Sequence, residues 1–410
     1  MEITETLRKF VQDHAEDDLS ELLLSASRYK GVDVRMAVEQ IKARKRIKDK
    51  LPSWYSDDRL FFPSTLATEQ CSSEITALYK QRFVRNDDRL CDLTGGLGVD
   101  AYFFSQKVKC VIYVERNKAY CDAARYNLHW LEASNVCVIN GDAVDLITRN
   151  DERIAGVNIF YVDPARRGEG NKRMFAISDC EPDLNQIISL LLDRCKILVK
   201  LSPMLDITQV LSQIPEVYEM HIVSVKNDCK ELLIIAGGLP PESGPVDLPD
   251  RTPDPEIVCI NYTADGVEQS FRFRLSDERS AVVCFGGNMG RYLYEPNSSV
   301  LKAGAYKSVA LHYGVEKLHV NSHLYTSDRL IPSFPGRIFE ITEIIPFSNR
   351  ICKTLFSAMP RANISVRNFP LPADELRKRM RIADGGSLYL FATTLSDNKK
   401  VLIKCGKVYH

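Results

Sequence analysis

Between Arg89 and Leu201 the chain alternates short apolar runs with helix-forming segments, and that alternation limits the fold more than any other feature. The apolar runs are Arg89–Leu93, Val108–Val114, Val136–Ile139, Val157–Val162 and Lys196–Leu201. Helical stretches begin near Val99 and cover Asn117–Leu131. Short runs with no polar face, separated by crossover helices, indicate a parallel sheet covered on both sides. The series closes differently. Val217–Val225 and Glu231–Ala236 are separated only by Lys226–Lys230, too short for a crossover, so they form an antiparallel hairpin.

The chemistry sits at the carboxyl ends of these runs, the edge where open α/β sheets bind ligands. Asp92-Leu93-Thr94-Gly95-Gly96-Leu97-Gly98 joins the first strand to the first helix. Glycines there allow positive φ and bring backbone amides and a helix N-terminus against a ligand. Gly96-x-Gly98-x-x-Ala101 also satisfies the dinucleotide fingerprint. Asp92 tilts the balance, because a carboxylate here repels a pyrophosphate but pairs with the ammonium of a methionyl group. Glu115 ends the second strand, placed to accept hydrogen bonds from ribose hydroxyls. Asn140-Gly141-Asp142-Ala143 ends the third, with an acid for the adenine amine and a small neighbour that leaves room for the ring. Tyr161-Val162-Asp163-Pro164-Ala165-Arg166 ends the fourth. Asp163 is placed to take a proton or hydrogen bond from an acceptor, Pro164 fixes the corner, and Arg166 suits a phosphate or nucleobase.

Asp92–Gly98, Glu115, Asp142 and Asp163-Pro164 resemble motifs one to four of class I S-adenosylmethionine-dependent methyltransferases. The first motif resembles that of the trimethylguanosine synthase group, which carries an aromatic in motif four where this chain has Ala165 and Arg166. Asp163-Pro-Ala-Arg166 is close to motif four of RNA 5-methyluridine methyltransferases. Those need a cysteine just after the fifth strand, and Val199-Lys200-Leu201-Ser202-Pro203-Met204 contains none, so a covalent mechanism is not expected.

The whole chain best resembles a bacterial group of methyltransferases that adds a small ferredoxin-like domain and a C-terminal THUMP-like domain. The resemblance rests on Phe62-Pro63-Ser64, Glu69-Gln70-Cys71-Ser72-Ser73-Glu74, Lys226-Asn-Asp-Cys229-Lys230-Glu231, Tyr294-Glu-Pro-Asn-Ser-Ser299 and Asp384-Gly-Gly-Ser-Leu-Tyr-Leu-Phe-Ala392. It implies an α/β fold. A Rossmann-like class I methyltransferase sheet (88–240) would follow a helical N-terminal extension (1–87). Small α+β domains would follow it, ferredoxin-like (256–324) and THUMP-like (325–410). It also implies S-adenosylmethionine as cofactor, bound by Asp92, Thr94, Gly95, Gly96, Gly98, Glu115, Arg116, Asp142, Ala143 and Asp163. A segment before the first strand often covers the methionine end in such enzymes, and Ser64, Glu69, Gln70 and Ser73 are candidates.

The flanks fill in the plan. Residues 1–86 read as helical, with Lys42, Arg44, Lys45, Arg46, Lys48 and Lys50 forming a basic face, and Pro63-Ser64-Thr65 starting a helix to about Lys80. The Pro- and Gly-rich stretch 237–255 is a linker. Beyond it lie strand-like runs at Ile257–Tyr262 and Ser270–Leu275, a helix at Ser299–Tyr313, and strands at Ser387–Thr394 and Lys400–Lys404. The 410 residues carry no formal net charge, yet from Tyr325 onward fourteen Lys and Arg face seven Asp and Glu. A basic appendage on a methyltransferase core points to RNA, ribosomal or transfer, gripped by its backbone while the pocket reads the acceptor.

Neither a secretory leader nor a run of about 20 apolar residues is present, so no membrane association is expected. The twelve cysteines lack C-x-x-C spacing, and Cys91, Cys110, Cys137 and Cys195 lie in apolar runs. That pattern reads as packed thiols in a reducing, cytoplasmic setting. His319 and His323 lie among β-formers, so no metal is expected. The function expected is methyl transfer to a nitrogen or oxygen nucleophile in RNA. The alternatives are a catalytically idle cofactor- or RNA-binding protein and, third, a nicotinamide dehydrogenase.

Overall fold

The computed structural model describes residues 4–166, 177, 180–237, 254–286, 289–348, 351 and 361–408, with Arg166 described by its backbone only. Five parallel strands form one side of a nine-stranded sheet: β1 (Arg89–Asp92), β2 (Cys110–Glu115), β3 (Val136–Asn140), β4 (Ile159–Val162) and β7 (Lys196–Leu201). With β8 at Val217–Val225, β9 at Asp228–Ala236, β10 at Glu256–Tyr262 and β11 at Glu268–Arg274, the sheet order is β11-β10-β8-β9-β7-β4-β1-β2-β3. Register sets Asp92 opposite Tyr113 on one side and Tyr161 on the other, and Glu115 opposite Asn140. The strand-end acids therefore share one edge.

The hairpin is tighter than its sequence suggests. Only Lys226 and Asn227 turn the chain, at φ 53° and 62°. Two consecutive left-handed residues match the right-handed twist of the paired strands. The polar residues Asp228–Lys230 continue the second strand.

Strands β10 (Glu256–Tyr262) and β11 (Glu268–Arg274) depart from the expectation that residue 256 opens the ferredoxin-like domain. β10 pairs in parallel with β8, and β11 pairs antiparallel with β10, so both widen the large sheet. Ile257–Ile260 is buried at every position, as suits an interior strand. The expected C-terminal pair of domains likewise shares one seven-stranded sheet. Its order is β13 (Glu316–Lys317), β14 (Tyr325–Ser327), β12 (Tyr292–Pro296), β15 (Gly336–Pro346), β18 (Lys400–Lys407), β17 (Leu388–Thr394), β16 (Asn363–Arg367). The helix expected over 299–313 is broken by Gly304 at φ 71° into α13 (Ser298–Ala303) and α14 (Ser308–Tyr313).

Contacts divide the chain into two units, Met1–Val217 with Ile234–Arg251, and Tyr218–Leu233 with Thr252–His410. In the first unit the N-terminal helices share their core with the sheet domain. Ala43, Ile47, Leu51 and Trp54 pack with Leu97, Val99 and Phe103. Helix α3 (Val34–Ile47) is capped by Asp33, which accepts from Met36 N at 3.0 Å, and it buries Val34, Ala37, Val38 and Ile41. Its basic face is partly committed. Arg44 donates to the carbonyls of Asp57, Asp58 and Leu60, while Lys42 and Arg46 pair with Glu39 and Glu69.

The described cysteines are free thiols. Cys91 and Cys195 are buried as expected, but Cys137 is exposed and Cys110 only half-buried. β3 is the edge strand, and its outer face is open. No described helix is long and apolar enough to cross a membrane.

Candidate functional site

The turn after β1 is built from three constraints. Gly95 packs so closely that an added Cβ would meet the Tyr113 ring at 2.2 Å, and Gly96 and Gly98 take φ 52° and 86°. Side chains then fix the loop. Tyr113 Oη donates to Gly96 O at 2.6 Å, Gly96 N donates to Glu115 Oε2 at 3.0 Å, and Asp92 Oδ1 accepts from Thr94 N at 3.0 Å. Thr94 Oγ1 in turn accepts from Asp163 N at 2.7 Å, which ties the end of β4 to the glycine turn. Gly98 opens α7 (Val99–Ser105).

Asp92 is 1 % exposed; the Thr94 amide donates to it, and the acids Asp100, Asp163 and Glu115 lie within electrostatic reach. Burial pushes its carboxyl well above the usual range; Asp100, Asp163 and Glu115 add to that, while the Thr94 amide opposes it. Below it lies a second, balanced cluster. Lys80 Nζ, wholly buried, donates to Asp100 Oδ1 and Ser72 Oγ at 2.9 Å each. Ser72 Oγ and Tyr161 Oη donate to Asp100 Oδ2 at 2.7 and 2.9 Å. Burial alone would raise Asp100, but Lys80, Lys200 and the Ser72 hydroxyl outweigh it and hold this carboxyl below its ordinary range.

Asp163 forms an ion pair with Lys200, at the end of β7. Its other oxygen, Oδ1, has no partner among the described residues. Pro164 follows, and Ala165–Arg166 then pairs antiparallel with Cys180–Glu181. The Arg166 side chain lies outside the described residues. Cys71 is not the missing nucleophile. Burial raises its thiol despite Lys50 and Lys200, so it is protonated at neutral pH.

The other expected residues divide by geometry. Glu115 accepts from Gly96 N and Asn117 N through separate oxygens, each with a lone pair left. Asp142 caps α9 (Ala143–Thr148) through Oδ1, leaving Oδ2 without a partner among the described residues, and Ala143 is buried beside it. Arg116 points to Glu181 in an exposed ion pair.

The single helix expected to run to Lys80 is two: α5 (Thr65–Gln70), capped by Ser64, and α6 (Glu74–Lys80), capped by Ser73. Ser64 and Ser73 thus serve as caps, Glu69 meets Arg46, and Gln70 is exposed with no side-chain hydrogen bond among the described residues. The residue that joins this segment to the glycine turn is Ser72, through Asp100.

Sequence reasoning missed Lys200, Lys80, Asp100 and Ser72 as site residues. Lys200 carried a signal, since a lysine inside Ile197-Leu-Val-Lys-Leu201 needs a partner in a doubly covered strand. Lys80 carried none. At a helix C-terminus a lysine reads as a solvated complement to the helix dipole.

Comparison with known proteins adds three findings. Residues 292–335 match a ferredoxin-like domain family and residues 336–407 a THUMP domain-like family. The solved structure of a putative methyltransferase from Porphyromonas gingivalis W83 is 37 % identical, covers 100 % of both chains and superposes with a TM-score of 0.87. An rRNA methylase from Streptococcus thermophilus aligns at 14 % identity and TM-score 0.30 over 40 % of this chain and 95 % of its own. No curated protein matches.

Proposed function

The chain belongs to the methyltransferase family represented by the Porphyromonas gingivalis structure, and from that premise we propose that it uses S-adenosylmethionine to methylate RNA. The observation that carries the cofactor is Asp92. A buried carboxyl within electrostatic reach of Asp100, Glu115 and Asp163 favours a cation beside it and disfavours further negative charge. A methionyl ammonium and a sulfonium supply positive charge, whereas a dinucleotide pyrophosphate adds negative charge.

The residues present fit the group. Asp92 and the Thr94–Gly98 turn would hold its amino-acid end, Glu115 the ribose hydroxyls, and Asp142 Oδ2 the adenine amine beside Ala143. Gln70, Ser73 and Arg116 support this role less, because the serine is a cap and the arginine is paired with Glu181. When bound, the cofactor supplies a methyl group activated by its sulfonium. Asp163 holds the acceptor through Oδ1, Lys200 fixes the Asp163 carboxylate, and Pro164 sets the corner. Arg166, next in the chain, is suited to a phosphate or base edge of the acceptor. We place the enzyme in the cytoplasm, where its free thiols stay reduced.

The cofactor reading is tested by calorimetric titration with S-adenosylhomocysteine. Wild type should bind it far more tightly than NAD. Glu115→Ala should weaken the complex at least about tenfold, since charge-assisted hydrogen bonds contribute about 1.5–3 kcal/mol. Equal affinity for NAD, or an unaltered Glu115→Ala complex, removes the assignment.

RNA as the acceptor is supported by the THUMP-like segment and by where its basic excess falls. Arg337, Arg367, Arg377, Arg379, Lys399 and Lys404 are in ion pairs. Arg361, Lys378 and Arg381 are exposed and have no acidic partner among the described residues, and the bridge from Arg361 to Ala383 gathers them near one helix end. Deleting residues 325–410 would cut through the second sheet, so charge reversal is the cleaner test. Arg361→Glu, Lys378→Glu and Arg381→Glu together should flatten the salt dependence of RNA binding. The slope should fall by roughly 2, at about 0.7 per lost contact to a single strand. An unchanged slope would assign this face another task.

A further inference from the structure

Lys317, on β13 in the ferredoxin-like segment, has only 2 % of its surface exposed. A buried ammonium normally has a carboxylate or several carbonyl oxygens around it, because an unpaired charge is expensive to desolvate. The backbone of Lys317 pairs with Cys284 and Gly286, but its side-chain amine has neither a hydrogen bond nor an ion pair with any described residue. Its Nζ lies 5.3 Å from the Tyr306 ring centroid and 5.5 Å from that of Tyr325. Contact with two π faces offsets part of the desolvation and leaves the three donors of the amine without a partner among the described residues.

A second polar atom nearby is also unsatisfied. The His323 ring stacks on Tyr306, with centroids 3.6 Å apart, and its Nδ1 is enclosed without a partner. The surrounding charge is mostly positive. Lys307 acts on Lys317, and Arg367 acts on His323 and Tyr306. The acid that acts on Lys317, Glu278, already accepts the backbone N–H groups of Tyr306, Lys307 and Ser308 at 2.7–3.1 Å. Arg367 in turn donates to Glu295. Burial brings the Lys317 amine down to about 8, against the pull of Glu278.

Cations gathered around a buried amine with no described partner, beside one acid committed to backbone amides and a second shared by Arg367 and Arg337, lack one chemical group. The geometry points to an oxyanion site at Lys317 that takes a phosphate of the bound RNA, with His323 and Arg367 beside it. The oxyanion follows from this cluster alone, and its assignment to RNA rests on the reading above. The site belongs to the appendage and makes no claim on the methyl-transfer chemistry. It assigns to the ferredoxin-like segment a grip on the nucleic-acid backbone.

The test uses the full-length wild-type protein. Lys317 is acetylated with a small neutral N-hydroxysuccinimide ester at pH 8, and its labelling rate is read by peptide mass spectrometry. Chloride, inorganic phosphate and a single-stranded RNA are compared at equal ionic strength. Phosphate and RNA should each slow labelling about tenfold relative to chloride. Lys317→Met should lower the salt slope of RNA binding by roughly 0.7, one backbone contact; should that variant fail to fold, protection of the wild type decides.

Protection by phosphate in a protein that binds no RNA would keep the oxyanion site, with a free phosphate compound as its source, and would remove the RNA reading. RNA binding with neither protection nor a change of slope would overturn the site and leave the RNA reading standing. A Lys317 that does not react in chloride is closed to ligands, and that result also overturns it.

Discussion

Lys80→Met should lower the stability of the first unit by about 3–5 kcal/mol, the range for removing one partner of a buried ion pair. The substitution keeps the length of the side chain and deletes its charge. Asp100 would then keep donors from Ser72 and Tyr161 but lose the one cation in hydrogen-bond contact with it. It would remain within electrostatic reach of Asp92, so its charge would meet like charge. For a unit of this size the loss corresponds to a fall in the melting midpoint of roughly 6–20 °C. Calorimetry on the full chain is the measurement, with the midpoint of the transition that melts the large sheet moving down.

The pH dependence carries a sign. Asp100 is held below its unfolded value, so its contribution is present above the ordinary carboxylate range and fades as pH falls through the depressed one. In Lys80→Met that acid-side loss should disappear and reverse, because an unpaired buried carboxyl is raised above its ordinary range and is relieved by protonation as pH falls. Adding Asp100→Asn to Lys80→Met should recover part of the stability, because the amide removes the unpaired charge while its oxygen still accepts from Ser72 and Tyr161. A single variant that loses less than about 1 kcal/mol would show that the pair is solvated and that Ser72 is not anchored through it.

The sequence made the first sheet legible because each parallel strand is apolar on both faces and each joins the next through a helix. Asp92, Glu115, Asp142 and Asp163 were readable for the same reason, since an acid directly after a buried strand has one edge of the sheet to occupy. The hairpin was readable from the shortness of its link, though not the Lys226-Asn227 turn that sets its register. Strands β10 and β11 were misplaced because a Pro- and Gly-rich linker marks a break in the chain, not a break in the sheet. Nothing in Ile257–Tyr262 names the strand it will pair with. Lys80 and Asp100 were invisible for a similar reason. Each looks like a helix-end charge until the fold brings α6 against α7, and only then do they become a buried pair.

Asp163→Asn should reduce methyl transfer by roughly 10²-fold or more, the scale on which a positioned acid–base group acts, while S-adenosylhomocysteine affinity changes little. The amide keeps the size and the backbone link through Thr94, so the glycine turn stays in place. It loses the charge that pairs with Lys200 and the oxygen that would take the acceptor's proton. Lys200→Met should also slow transfer, by releasing Asp163 from its fixed orientation. Lys200→Arg should restore part of the rate, because a guanidinium can still hold the carboxylate.

That graded series separates positioning from general damage to the pocket, which would lower cofactor affinity in all three variants. The assay needs RNA from cells lacking the gene, so that acceptor sites are unmethylated. Full-rate transfer by Asp163→Asn would keep the enzyme and remove this residue from its mechanism. Wild type that binds S-adenosylhomocysteine yet transfers to no such RNA would point to a protein that holds its cofactor without turnover. In that case Asp163 and Lys200 would be an ion pair that only ties β4 to β7.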